Sequence, residues 1–403
     1  MTIKNQDLKP LELGVYLHIP FCSFVCHYCD FAKTAHWSDE LKNNYLSTLD
    51  AHLKSWLQYL ESLFTDISII TVNVGGGTPS LISREYENIF TTLRPYLSSD
   101  CEVSLEANPN DCSPVNLQIW KDCGFNRISV GIQTFQDKGL KFLKRDHDAV
   151  KAKKSIENCL SYFENTNIDL IYSWPSQSLG DWKEDLDLSL SMGCNHLSLY
   201  NLTYAQGTPI GRARQRGVIT EPLDEFQEQF YSSAREILAD HGLQHEEVSN
   251  WSKPGFSCKH NWLYWQGRPY LGVGAGAHGF LPINDPIGLR YHYTRRERSF
   301  RNSDNAFQNP LKDFSHLIEI EQRDTESWVL EMLGSSLRSS RGLDLANIKN
   351  KTGKLFIPNA EVDYGLENGL IILDNHRLYL HPKEWFREVH WCVKLSECFE
   401  VEN

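Results

Sequence analysis

Apolar residues follow two rhythms along the first half of this chain. Six short runs rich in β-branched residues recur: GVYLHI (14–19), SIITVNV (68–74), EVSLEA (102–107), RISVGI (127–132), IDLIYS (168–173) and HLSLYNL (196–202). Between them the apolar spacing lengthens to three or four. In residues 38–64, Leu41, Tyr45, Leu49, Leu53, Leu57 and Leu60 share one helical face, and Asp39 with Glu40 suits a helix start after Ser38. A second such stretch carries Phe226, Phe230, Ala234 and Leu238 and ends at Gly242. Strands alternating with helices predict parallel strands joined by crossovers, and nearly continuous apolar strands predict a covered sheet.

The strand ends refine that picture. GGGTP (75–79) follows the second run and EANP (106–109) closes the third. The fourth ends near Gln133, the fifth contains Asp169, and the sixth runs into Tyr200 and Asn201. Polar residues thus gather near the carboxyl ends of all six strands. A barrel collects those ends at one mouth, whereas a flat open sheet offers mainly one crevice. The α/β expectation is therefore a partial (β/α)6, TIM-like barrel.

Past Tyr204 the pattern loosens. Residues 251–280, rich in glycine and aromatics, read as structured loop and short strand. Residues 325–345 read as helix, and 369–382 as a hairpin turning at Asp374–Asn375. A small winged-helix-like α+β domain is expected at the C-terminus. The predicted divisions are an N-terminal tail (1–13), the barrel (14–245), a connecting segment (246–310) and the C-terminal domain (311–403).

Composition narrows the class. The chain has 403 residues, 41% hydrophobic, with 40 basic and 52 acidic side chains, hence 40 − 52 = −12. An acidic chain without a basic stripe argues against nucleic acid as the main partner. No apolar stretch reaches the roughly 18 residues of a membrane span, and the polar start lacks the apolar segment of a secretory signal. A cytoplasmic location is expected, and there the 11 cysteines stay reduced.

Three of those cysteines are not scattered. YLHIPFCSFVCHYCDF sets Cys22, Cys26 and Cys29 within eight positions. Thiolates select zinc or iron–sulfur clusters. Structural zinc closes four ligands, and a [4Fe–4S] cluster takes four cysteines, so three leave one iron with an open position. A Cys3His zinc site using His18, His27 or His36, or plain thiols, stays open on spacing alone. The glycines of GGGTP suit a close backbone approach to a ligand, although a glycine turn after a strand is common without one.

With VNVGGGTPSLI, VSLEANP, SVGIQTF and DLIYSWP in the same order, the cysteine segment resembles the radical S-adenosylmethionine (SAM) superfamily. Within it, the chain resembles the branch of oxygen-independent coproporphyrinogen III dehydrogenases and HemW-type heme chaperones, from about residue 14 to the end. The resemblance implies a [4Fe–4S] cluster on Cys22, Cys26 and Cys29, with SAM on the open iron. It places Tyr16, Gly76, Gly77 and Thr78 by the methionine part of SAM, and Glu106, Gln133, Arg145 and Asp169 at its other polar groups. It assigns no catalytic residue. HNWLYW (260–265) matches the His-Asn-x-x-Tyr-Trp heme signature of the chaperones and makes His260 the expected heme ligand, with Cys258 and His278 as rivals. Phe31 stands where the dehydrogenases carry a fourth cysteine, and only 21 residues precede Cys22; both departures favour the chaperone side. The implied function is delivery of heme to acceptor proteins, respiratory haemoproteins among them, without coproporphyrinogen dehydrogenase activity. The implied state is a monomer or a cofactor-dependent dimer, and peripheral membrane association stays compatible. The alternative is radical decarboxylation of coproporphyrinogen III to protoporphyrinogen IX. A purely structural zinc protein is the distant third.

Overall fold

Leu11–Ile19 (β1) opens a computed structural model that describes residues 9–283, 286–303 and 308–401. The first eight positions of the expected N-terminal tail lie outside those residues. Alternation then proceeds as the apolar rhythm predicts. Asp39–Glu61 (α1) leads to Ile67–Gly76 (β2), Tyr86–Leu93 (α2), Leu97–Ala107 (β3), Pro114–Cys123 (α3) and Arg127–Gln133 (β4). Asp137–Phe142 (α4) and Ala149–Tyr162 (α5) precede Asn165–Tyr172 (β5), Leu179–Ser191 (α6) and His196–Asn201 (β6).

Helix α1 starts where its cap allows. The Ser38 hydroxyl accepts from Leu41 N–H, and Asp39 and Glu40 occupy the positive end of the helix. The face that follows, including Tyr45, Leu49, Leu53, Trp56 and Leu60, is fully buried against the sheet. Each such side chain contributes about 2 kcal/mol of apolar burial.

Pro209–Gln215 (α7) and Asp224–Asp240 (α8) continue the chain past β6, and six more short strands widen the sheet. Gln244–Glu247 (β7) and Asn250–Ser252 (β8) extend it beyond β6. After helix Lys259–Trp265 (α9), Tyr270–Val273 (β9), His278–Leu281 (β10), Leu289–Tyr293 (β11) and Ile318–Ile320 (β12) extend it on the other side of β1. The order is β12-β11-β10-β9-β1-β2-β3-β4-β5-β6-β8-β7. Strand β9 runs parallel to β1, so the parallel part holds seven strands; the outer ones are antiparallel. The edges β12 and β7 are not paired with each other, and the barrel remains open.

The C-terminal part builds its own apolar cluster around Trp328, Leu333, Leu337, Leu378 and Leu395. Its hairpin pairs Ile371–Asp374 with Arg377–Leu380. The turn lies one residue later than the sequence suggests. Asn375 and His376 both take positive φ, 46° and 63°, as a two-residue type I′ hairpin demands. No helix among the described residues is long and apolar enough to cross a membrane.

Candidate cluster and cofactor site

The three thiols ride a loop that leaves the carboxyl end of β1. It is pinned at its base: Thr34 N–H donates to Pro20 O (2.7 Å), Cys22 N–H to Thr34 O (3.0 Å) and Trp37 Nε1 to Cys22 O (2.9 Å). Farther along, Lys33 Nζ donates to the Cys29 carbonyl (2.6 Å) and Ile210 N–H to the His27 carbonyl (3.1 Å). The loop therefore does not depend on the thiols for its shape. Cys22 is buried, whereas Cys26 and Cys29 are half-buried. Burial pushes the Cys22 thiol up to about 11, so this sulfur needs a bound cation to become a thiolate.

All three line one cavity of about 550 Å³ at the strand ends. His18, His27 and His36 do not line it. His18 is engaged at both nitrogens. The Ala32 carbonyl can only accept, so Nε2 carries the proton (2.7 Å) and Nδ1 accepts from the Tyr16 hydroxyl (3.0 Å). Burial depresses its pKa to about 4, and the ring is neutral. The three sulfurs also do not converge tightly enough to hold a single ion: among the described residues, only His278, His292 and Glu321 do. A cavity lined by three spaced thiols and by no imidazole fits a multi-iron cluster rather than Cys3His zinc.

The other expected residues fall around the same space. Gly76, Gly77, Thr78, Glu106, Gln133, Arg145 and Asp169 line the cavity. Tyr16 lines the adjoining one instead, together with Gly76 and Glu106. The glycines are needed for contact. A Cβ on Gly77 would lie 2.7 Å from the Phe21 carbonyl oxygen and one on Gly75 2.5 Å from Glu106 Oε1, while Gly76 has φ +114°. Their amides are not free donors, as a nest would require. Gly76 N–H donates to Glu106 Oε2 (3.2 Å) and Gly77 N–H to Ile19 O (2.7 Å).

Glu106 is a strongly perturbed carboxylate. Burial, then the like charge of Asp169, pushes it up to about 7. Asp169 is also raised by burial, yet it accepts from Ser129 Oγ (2.9 Å) and Asn167 Nδ2 (2.8 Å). Gln133 ends β4 in the left-handed region, φ 71°, at an irregularity in the β4–β5 register. Arg145 Nη1 donates to Cys26 Sγ (3.3 Å), Nη2 donates to Gly131 O (3.0 Å), and its buried Nε has no partner.

Residue-by-residue reading missed Arg127. This buried cation at the head of β4 lines the cavity and donates to Ser104 Oγ (3.3 Å). It also missed a polar stripe of Ser104, Ser129, Asn167 and Ser198, all lining the same cavity. The available signal was polar residues standing at regular positions inside apolar runs.

His260 lies elsewhere. Helix α9 packs it beneath the sheet, where its backbone N–H donates to Glu102 Oε1 (3.1 Å). Its Nδ1 is 2.7 Å from Thr71 Oγ1 and its Nε2 2.8 Å from the Tyr264 hydroxyl. It lines neither cavity, and burial lowers its pKa to about 3. Tyr264 does line the adjoining cavity of about 1070 Å³, with Tyr270, His278 and Arg295. Of the rival residues, Cys258 lines the cluster cavity and His278 the larger one.

The model of the radical SAM superfamily matches residues 16–189. The heme chaperone HemW of Lactococcus lactis subsp. lactis is 37% identical over 282 residues, 69% of this chain and 71% of the relative. The chain belongs to the HemW family. Within that family, the heme chaperone HemW of Bacillus subtilis is 32% identical and covers 91% of this chain and 94% of its own. Among solved structures, coproporphyrinogen III oxidase (HemN) from Escherichia coli superposes with a TM-score of 0.72 at 18% identity, over 95% of this chain and 90% of that one. That likeness shows the shared fold. The radical SAM match implies a [4Fe–4S] cluster and SAM, which the thiol cavity suits.

Proposed function

We propose that this chain is a heme chaperone whose heme docks in the cavity of about 1070 Å³ beside the cluster site, for transfer to acceptor proteins. The observation that carries the reading is that adjacency. One cavity holds the three thiols, the other is large enough for a porphyrin, and Gly76 and Glu106 line both. The relatives named above are called heme chaperones, which favours this over porphyrinogen decarboxylation.

Cys22, Cys26 and Cys29 would hold the cluster, which supplies an iron with an open position for the amino and carboxylate groups of SAM. The chain's own residues then orient the nucleotide. With the Gly76 and Gly77 amides already donated, the Glu106 carboxylate is the acceptor on this wall that suits the N–H groups of the SAM amine. Arg145, held against Cys26, spares a buried N–H for an anionic or hydroxyl oxygen. Asp169 accepts from hydroxyls.

Tyr264 governs access to His260. Its hydroxyl covers Nε2 on the side of the larger cavity, and swinging it away would bare a neutral imidazole. Thr71 would still hold Nδ1, an outer partner of the kind that orients axial histidines. Arg295, on the wall of that cavity, is placed for a propionate. The test is a heme titration of the anaerobically reconstituted protein, followed by its Soret band, with a parallel assay on coproporphyrinogen III. The reading expects a band that His260→Ala loses and no protoporphyrinogen. A full turnover of porphyrinogen, or a band untouched in His260→Ala, contradicts it.

A further inference from the structure

Two histidines that line the larger cavity belong to a cluster that the cofactor site does not use. His278 on β10 faces His292 on β11 directly across an antiparallel pair. Their rings stack with centroids 5.2 Å apart. Glu321, one residue past β12, brings Oε1 to 3.7 Å from His278 Nδ1 and 3.8 Å from His292 Nδ1. One ligand atom from each of the three residues lies within 4.8 Å of the others. These separations are too long for hydrogen bonds. They approach the ~3.4 Å between two donors that share one ion at about 2.1 Å in tetrahedral geometry.

The surroundings hold this set in place. Arg290 Nε stands 3.3 Å from Glu321 Oε2, leaving Oε1 turned to the histidines, and Glu321 N–H donates to the Arg290 carbonyl (3.0 Å). Glu319 Oε2 stands 3.5 Å from His292 Nε2, the outer carboxylate that metal-bound imidazoles commonly have. His292 Nδ1 is sealed from solvent and has no hydrogen-bond partner.

The geometry points to a binding site for a divalent transition metal of the zinc class, held by His278 Nδ1, His292 Nδ1 and Glu321 Oε1. Two imidazoles and a carboxylate suit such ions and leave a fourth position open. His278 and His292 line the cavity of about 1070 Å³. The open position therefore belongs to its wall, where water or a carboxylate of a bound ligand completes the set. The site depends on neither the cluster nor heme.

Calorimetric titration of the full-length, cluster-loaded protein with zinc chloride, without oxygen or heme, tests this. Cluster absorbance is followed throughout, so that displacement of iron is seen. One zinc per chain is expected, with affinity at least tenfold weaker in His278→Ala and in Glu321→Gln. His278 is half exposed, so its variant should fold, and an unchanged melting curve without zinc checks that. No binding in the wild type, or wild-type affinity in either variant, overturns the site. Because heme is absent, that outcome leaves the chaperone reading untouched, and loss of heme binding would leave this one untouched.

Discussion

At the scale of single residues, the chemistry turns on a few buried groups whose partners are fixed. Glu106 titrates near 7. Desolvation and the like charge of Asp169 raise it, while Gly76 N–H, Asn73 and Arg127 oppose that rise. The N–H groups of a bound amine are accepted by the ionised form of Glu106 and not by the protonated one. SAM affinity should therefore fall as pH drops through 7, because binding must then displace a proton. Glu106→Gln should flatten that dependence and weaken binding by about 1.5–3 kcal/mol, the worth of a hydrogen bond to a charged group, as measured by calorimetry at several pH values. An affinity independent of pH in the wild type would remove Glu106 from the site. Tyr264→Phe deletes the hydroxyl that covers His260 Nε2 and should tighten heme binding, read from the Soret titration. Weaker binding would make Tyr264 a contact rather than a cover. His260 also shows where sequence stops: its motif was legible, but the Thr71 and Tyr264 bonds come from partners distant in sequence or hidden on the same helix turn.

At the scale of elements, the long strands and helices were readable because their periodicity is sustained. Strands β7, β11 and β12 were not, and β8–β10 were read only as unplaced short strand within residues 251–280, since runs of three to five residues carry too few positions to show a period. Helix α9 has seven residues and lies in a glycine-rich stretch, so it too passed as loop. The hairpin turn shifted by one residue because the positive φ of His376 is a backbone fact with no sequence signal. The cysteine loop and the glycine turn fit one another through Gly77. Adding a methyl group there places carbon 2.7 Å from the Phe21 carbonyl, and this backbone oxygen has no rotamer to retreat to. Gly77→Ala should push the loop outward and reduce iron content by at least half, with overall folding retained, as checked by iron assay and circular dichroism. Full iron loading would show that the loop tolerates the shift.

At the scale of the whole molecule, two apolar clusters meet through aromatic and charged contacts. Arg338 stacks 4.4 Å from the Trp265 ring and sits 3.6 Å from the buried Glu247 carboxylate. Arg341 covers Trp262 at 4.1 Å. The aromatic residues of the heme signature thus tie the sheet to the C-terminal part, a role that nothing in the six-residue pattern announces. Removing Arg338 leaves Glu247 buried without its cation. Arg338→Ala should destabilise the protein by about 2–4 kcal/mol in denaturant unfolding, and an unchanged midpoint would deny that junction. The six-unit α/β plan and the thiol loop were legible in the sequence. The second cavity was not, because its walls come from β1, α9, β10, β11 and β12, which only the folded sheet brings together.

Cys22, Cys26 and Cys29 are proposed to carry a cluster whose remaining iron is free to bind SAM. Electron paramagnetic resonance of the reduced, anaerobic protein, recorded before and after adding SAM, addresses it most directly. The expected result is a cluster signal that SAM alters in the wild type and that Cys26→Ala lacks. A protein that holds zinc in place of iron, or a cluster signal indifferent to SAM, would contradict it.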